Sequence, residues 1–163
     1  MVKKFNAFIN ESKDGFYEMS GSKSAEFVGN FFNKTMDGVL KHKSTKVMLR
    51  CHWAIQEFIY NLFDQKHGAA DDRFKYKELI DAGNLRPEDG ILENMKDESP
   101  NSLFVIKNFH ETSDDVLGEL MNSILGSNAT VICLTDISDD YEEDFIENLN
   151  PGINRFDEIL ILK

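Results

Sequence analysis

No apolar run in this 163-residue sequence approaches the roughly 18–20 residues of a membrane span. The first residues, Met1 to Phe5, include two lysines, but no continuous apolar core follows them, so no secretory signal is read there. Cysteine is nearly absent. Cys51 and Cys133 both sit in apolar runs and read as buried free thiols in a reducing compartment, too few and too isolated for a zinc site. The four histidines, His42, His52, His67 and His110, show no metal-ligand spacing, so no metal or cofactor is expected. Basic clusters are scarce as well. The net charge is −11, which excludes an ordinary nucleic-acid binder because phosphate recognition needs grouped Lys and Arg.

What is present points to one globular domain. A hydrophobic fraction of 41% and an aromatic fraction of 11% exclude simple disorder, and the length is enough to bury a core. The charge is uneven, at +4 over residues 1–50 and −15 over 51–163. The acidic part reads as a solubilising surface or as imitation of a nucleic acid's field.

Residues 2–11 form a short amphipathic segment with Phe5, Phe8 and Ile9 on one side, and 12–23 read as a linker broken by Gly15 and Gly21. A single α/β domain is expected over 24–163. Its first helix, at 24–41, carries an aromatic stripe that includes Phe27, Phe31 and Phe32. Such a stripe is either core or a partner-docking face. Residues 46–51 read as a short buried strand leading almost directly into a helix at 53–66. A weaker strand at 73–80 and a short helix near 88–96 follow. Leu103 to Ile106 is a continuous apolar run, as in a strand buried on both faces. Thr112 and Asp115 predict a capping box for a helix at 113–125. Residues 129–135 are a second buried strand, 139–148 an acidic helix, and 159–162 a final strand. Alternating short apolar strands and amphipathic helices predict a three-layer α/β fold, a parallel sheet covered by helices on both faces.

From residue 46 to 163 this order of elements resembles the core of the AAA+ ATPases, within the P-loop NTPase fold. Lys46–Arg50 lies where that family's first strand lies, and Leu103–His110 resembles its Walker B strand. Thr130–Asp136 resembles its sensor-1 strand, ending in the polar Thr135 and Asp136. Asn154-Arg155-Phe156-Asp157 is similar to the Arg-Phe ending common in the family, where an arginine can reach into a neighbouring subunit's nucleotide. The resemblance therefore implies Arg155 as a trans-acting arginine and an oligomer as its setting.

The departures argue against hydrolysis. A phosphate-binding loop needs glycines, so that amides converge on the anion, and a Lys-Ser/Thr pair opening the helix. The matching stretch, Arg50 to Gln56, has no glycine and no lysine, and it carries a bulky Trp53. Gly-Ser-Lys-Ser at 21–24 precedes a helix but follows no strand. A magnesium-dependent hydrolase needs acids where Lys107 and Asn108 stand, with Glu111 the nearest substitute. The sequence also ends at the last strand, where the family continues into a helical lid.

The first eleven residues resemble the N-terminal peptides of proteins from large T-even-like tailed phages, which a prohead protease removes after Leu or Ile, any residue, then Glu. Ile9-Asn10-Glu11 fits, which makes Glu11 a processing site. The leading expectation is a non-catalytic AAA+-like interaction or assembly module of phage origin, cytoplasmic in the host or carried in the virion, with a protein partner and no direct contact with nucleic acid or membrane. A second expectation is an acidic DNA mimic, with Asp139, Asp140, Glu142 and Glu143 copying phosphates. A third is a head-internal virion protein. An enzyme of another kind would need a nucleophile with a base. Cys51-His52, read as strand residues, point to opposite faces, and so do His110-Glu111 if the strand runs through them.

Overall fold

A computed structural model describes residues 21–66, 75–136 and 155–162. The described elements are helix α1 (Gly21–Leu40), strand β1 (Lys46–Arg50), helix α2 (Trp53–Lys66), strand β2 (Lys77–Asp81), helix α3 (Ile91–Asp97), strand β3 (Leu103–Lys107), helix α4 (Asp114–Gly126), strand β4 (Thr130–Thr135) and strand β5 (Glu158–Ile161). Short 3-10 turns at Ala82–Asn84 and Phe109–Glu111 follow β2 and β3.

The strands pair in the order β2-β3-β4-β1-β5, every pairing parallel. Their side chains alternate between two faces, and the apolar runs fill both. Val47, Leu49, Leu103, Val105, Ile132 and Leu134 pack under α1 and α2 with Phe27, Phe31, Ile59 and Phe63. Met48, Phe104, Ile106, Val131 and Cys133 pack under α3 and α4 with Leu92, Met95, Val116 and Leu120. Those are the two helical layers over one sheet that the sequence pattern predicts. β2 is the weakest pattern because it is an edge strand, with one buried position in five.

Several local expectations are corrected. The first helix begins at Gly21, inside the segment read as linker, so this glycine does not break it. β1 stops at Arg50, and Cys51 and His52 form a turn rather than the end of a strand. β3 stops at Lys107, so His110 and Glu111 belong to a 3-10 turn. The capping box does not form. The Thr112 hydroxyl donates to the Phe109 carbonyl at 2.7 Å, Ser113 takes the cap position without a side-chain bond, and Asp114 and Asp115 fill the first turn. There their charge favours the positive end of the helix dipole. The strand expected at 73–80 runs from Lys77 to Asp81, and the short helix expected near 88–96 runs from Ile91 to Asp97.

Candidate functional site at the carboxyl edge of the sheet

In a parallel α/β sheet, ligands bind in the crevice outside the carboxyl ends of the strands. Here that edge gathers Cys51 and His52 after β1, Asp81 at the end of β2, Lys107 and Asn108 at and after β3, and Thr135 and Asp136 at and after β4. The turn from β1 to α2 is two residues long. The GxxxxGK[ST] loop places about six residues around its phosphates, so this turn has no length with which to wrap one.

Three of the amides in the first turn of α2 are already used. Ala54 N–H donates to His52 Nδ1 at 3.2 Å, and the Ile55 and Gln56 amides donate to the His52 carbonyl at 2.9 and 3.2 Å. His52 therefore caps α2 in the role Ser, Thr or Asp more often fills. A helix N-terminus binds anions through such free N–H groups, and these three are satisfied. Trp53 projects outward, 61% exposed, with its indole 5.3 Å from the His52 ring.

Gln56 is 1% exposed and bridges the crevice. Its Nε2 donates to the Cys51 carbonyl at 3.3 Å, and its Oε1 accepts the Asn108 amide at 3.3 Å. Asn108 is held in the left-handed region, φ 52°, a conformation Asn tolerates better than most residues, and its Nδ2 donates to Asp81 Oδ1 at 3.1 Å. One side chain thus ties the β1 turn to the end of β3, and Asn108 continues the tie to β2.

Lys107 sits where the resemblance calls for a metal-binding acid. Its Nζ is 2.8 Å from Glu57 Oε1, 3.9 Å from Asp81 Oδ2, and 4.7 Å from the centre of the Tyr60 ring. The hydrogen bond to Glu57 raises its pKa, so the ammonium is a fixed cation among these groups. Among the described residues, no three His, Cys, Asp or Glu side chains come together to hold a metal. Glu111 is exposed, with Oε1 3.8 Å from His110 Nε2.

His110 and Glu111 do approach each other, which a continuing strand would have prevented. His110 Nδ1, however, accepts the Asp136 amide at 3.1 Å, and burial lowers the imidazole's pKa, so it serves as a neutral acceptor joining β3 to β4. Cys51 is buried and burial pushes its thiol well above its ordinary range, as it does for Cys133. Neither is an activated nucleophile. The signal missed in the sequence is Gln56, whose partners lie 5 and 52 residues away.

Phe27, Phe31 and Phe32 are core. All three are buried under the sheet, with the Phe32 ring 4.9 Å from that of Phe63, so packing rather than docking is the reading this geometry carries. Arg155 is exposed just ahead of β5, at the amino edge of the sheet, opposite the crevice. Glu11, Asp139, Asp140, Glu142 and Glu143 lie outside the described residues, as do the amphipathic segment at 2–11 and the acidic helix at 139–148.

No family model matches the chain. No curated protein matches it. Among solved structures, its fold is similar to that of a point mutant of RuvB, an AAA+ ATPase, from Thermogota maritima, with a TM-score of 0.51 and 13% identity. The match covers 85% of this chain and 45% of that one, so this chain spans less than half of that protein's length. At that identity the likeness is one of fold, an AAA+-like α/β architecture. No described helix is long and apolar enough to cross a membrane.

Proposed function

We propose that this chain is a non-catalytic AAA+-like interaction or assembly module in which the crevice used elsewhere for nucleotide is closed by the protein's own side chains. The buried Gln56 bridge carries this reading. It occupies the mouth between the β1 turn and the end of β3 with bonds to both. The three satisfied amides at the start of α2, those of Ala54, Ile55 and Gln56, and the Lys107 ammonium between Glu57 and Asp81 support it, because a bound nucleotide needs free donors and a divalent cation in those places.

Arg155 stands on the amino edge, too far round the sheet to serve its own crevice, so in this reading it contacts another molecule. The resemblance of the first eleven residues to phage peptides is the ground for a viral, cytoplasmic setting. Processing after Glu11 would leave a chain beginning at Ser12, which mass spectrometry of purified particles would detect.

Isothermal calorimetry of ATP and ADP with magnesium tests the closed crevice. No heat of binding is expected. Binding in the micromolar range would overturn the reading, and a Gln56→Ala variant would then locate the site.

A further inference from the structure

On the amino edge of the sheet, opposite the crevice, a cavity of about 200 Å³ lies between α1, the segment leading into β1, and the starts of β4 and β5. Strand alternation decides what reaches it. Val47 and Leu49 of β1, and Ile132 and Leu134 of β4, face α1. The same alternation carried back two residues puts Thr45 and Thr130 on that side, and both line the cavity with Val47. Phe31, Thr35 and Gly38 close it from α1.

Thr130 is the informative residue. It is 1% exposed, and its Oγ1 has no hydrogen-bond partner among the described residues. A buried hydroxyl without a partner is destabilising, and valine would fill the same space in a buried strand without that cost. A polar group is therefore kept at a place where the fold alone favours an apolar one, and it faces an open space. Thr35 and Thr45 bring two more hydroxyls to the same lining.

The charged groups around the mouth are mostly matched. Lys34 grips Glu158 through both carboxylate oxygens at 2.7 and 2.8 Å, and Lys41 holds Asp37 at 2.9 Å. Asp157, exposed beside them, accepts the Lys46 amide at 2.7 Å. The carbonyls of Asp37, Gly38 and Val39 at the end of α1 are taken by the amides of Lys41, Lys43 and His42. That leaves the ammonium of Lys43, which lines the cavity and has no partner among the described residues.

We infer that this cavity binds a small monocarboxylic acid, its carboxylate beside Lys43 and the threonine hydroxyls and its carbon body against Phe31 and Val47. Hydroxyls donate well to a carboxylate, and one unmatched ammonium balances one negative charge. A phosphate monoester carries nearly two charges at neutral pH, and Asp37 and Glu158 at the mouth disfavour the second. Pockets for drug-sized ligands run to about 300–1,000 Å³, so this one takes a smaller molecule. The site lies on the opposite edge from the closed crevice and does not depend on it, so calorimetry with nucleotide and the titration below fail separately.

The test is ¹H–¹⁵N NMR of the full chain titrated with acetate, butyrate and lactate. Butyramide, inorganic phosphate and sodium chloride are the controls. Butyrate is expected to move the amide signals of Gly38, Lys43, Thr45 and Thr130 and to saturate with a dissociation constant on the order of 10⁻⁴ to 10⁻³ M, the range open to so small a ligand. Butyramide, which lacks the charge, should bind roughly tenfold more weakly. Thr130→Val keeps the shape and removes the hydroxyl. It should melt no lower than the wild type and lose roughly tenfold in butyrate affinity.

Lys43→Met changes an exposed side chain and should weaken butyrate by a similar factor while leaving butyramide unchanged. Gly38→Leu fills the cavity from a position where a Cβ meets only Thr45 Oγ1, at an ordinary 3.6 Å, and should abolish binding. Lys43→Met keeps the test decisive if Gly38→Leu does not fold. No signal movement with any of the three acids at about 50 mM, well above the expected constant, would overturn the inference. So would equal saturation by phosphate or chloride, butyrate affinity unchanged in Lys43→Met, or a sharp fall in melting temperature of Thr130→Val, which would mean that the hydroxyl is bonded within the protein.

Discussion

The side-chain oxygen of Gln56 accepts the backbone amide of Asn108 at 3.3 Å, across 52 residues of sequence. With the bond from Gln56 Nε2 to the Cys51 carbonyl, it joins the first turn of α2 to the ends of two strands that are not neighbours in the sheet. β4 lies between them, so the bond spans the middle of the carboxyl edge.

Replacing Gln56 by Leu keeps its bulk and removes both bonds. The Asn108 amide and Cys51 carbonyl are then left without this partner in a buried setting, where each lost bond costs about 1–3 kcal/mol. Urea unfolding should show a loss of roughly 2–4 kcal/mol, and the variant should still not bind ATP, because the two-residue turn remains. Stability unchanged within 0.5 kcal/mol (about the scatter of a neutral surface substitution) would show that the bridge does not hold the edge together.

Phe27→Ala tests the aromatic stripe. Phe27 is 1% exposed and stacks on Phe31 with centroids 6.2 Å apart. Truncating a buried Phe removes apolar contact and leaves a cavity, at about 3–5 kcal/mol. A large fall in melting temperature is expected. A stable variant with altered association alone would return the stripe to a docking role.

Lys46 gives a pH signature. Its Nζ donates to the Ala129 carbonyl and to Ser44 Oγ, and burial lowers its pKa from 10.5 to about 8, against the opposing pull of Asp157. Between those values the unfolded chain binds the extra proton, so this group's contribution to stability rises with pH from about 8 to 10.5. Lys46→Met should remove that rise. The stability difference between wild type and variant, measured by denaturant unfolding at pH 7 and pH 10, should therefore change in the wild type's favour as pH rises. A difference that stays constant would contradict the shift.

His110 acts in the acid range. Burial lowers its pKa below 6.5, and its Nδ1 accepts the Asp136 amide, which requires that nitrogen to be unprotonated. Stability from this group is full above pH 6.5 and is lost as pH falls through the lowered value. His110→Leu should cost about 1–2 kcal/mol at pH 7 through the unpaired amide and should flatten the acid slope. An unchanged slope would place the acid sensitivity on other groups.

The layers of the fold were legible in the sequence because Leu103 to Ile106 and Thr130 to Thr135 are apolar at every position or nearly so, which only a two-sided strand requires. Element ends were less legible. Thr112 and Asp115 have the spacing of a capping box, but the Thr112 hydroxyl meets the Phe109 carbonyl first, because Phe109 to Glu111 form a 3-10 turn. The absence of a glycine-rich loop after β1 could be read directly. What fills the crevice instead could not, since Gln56, Lys107 and Asp81 come from three separate segments and have no mutual spacing to recognise.

β1 lies between β4 and β5, and both of these neighbours come from the far end of the sequence. Lys46 reaches Ala129 across 83 residues and Asp157 across 111. At roughly 5–20 residues per second of synthesis, β1 waits several seconds or more on the ribosome with both edges unpaired. A free edge strand of this kind is a template for wrong pairing, so the nascent chain needs shelter during that interval that the finished protein does not.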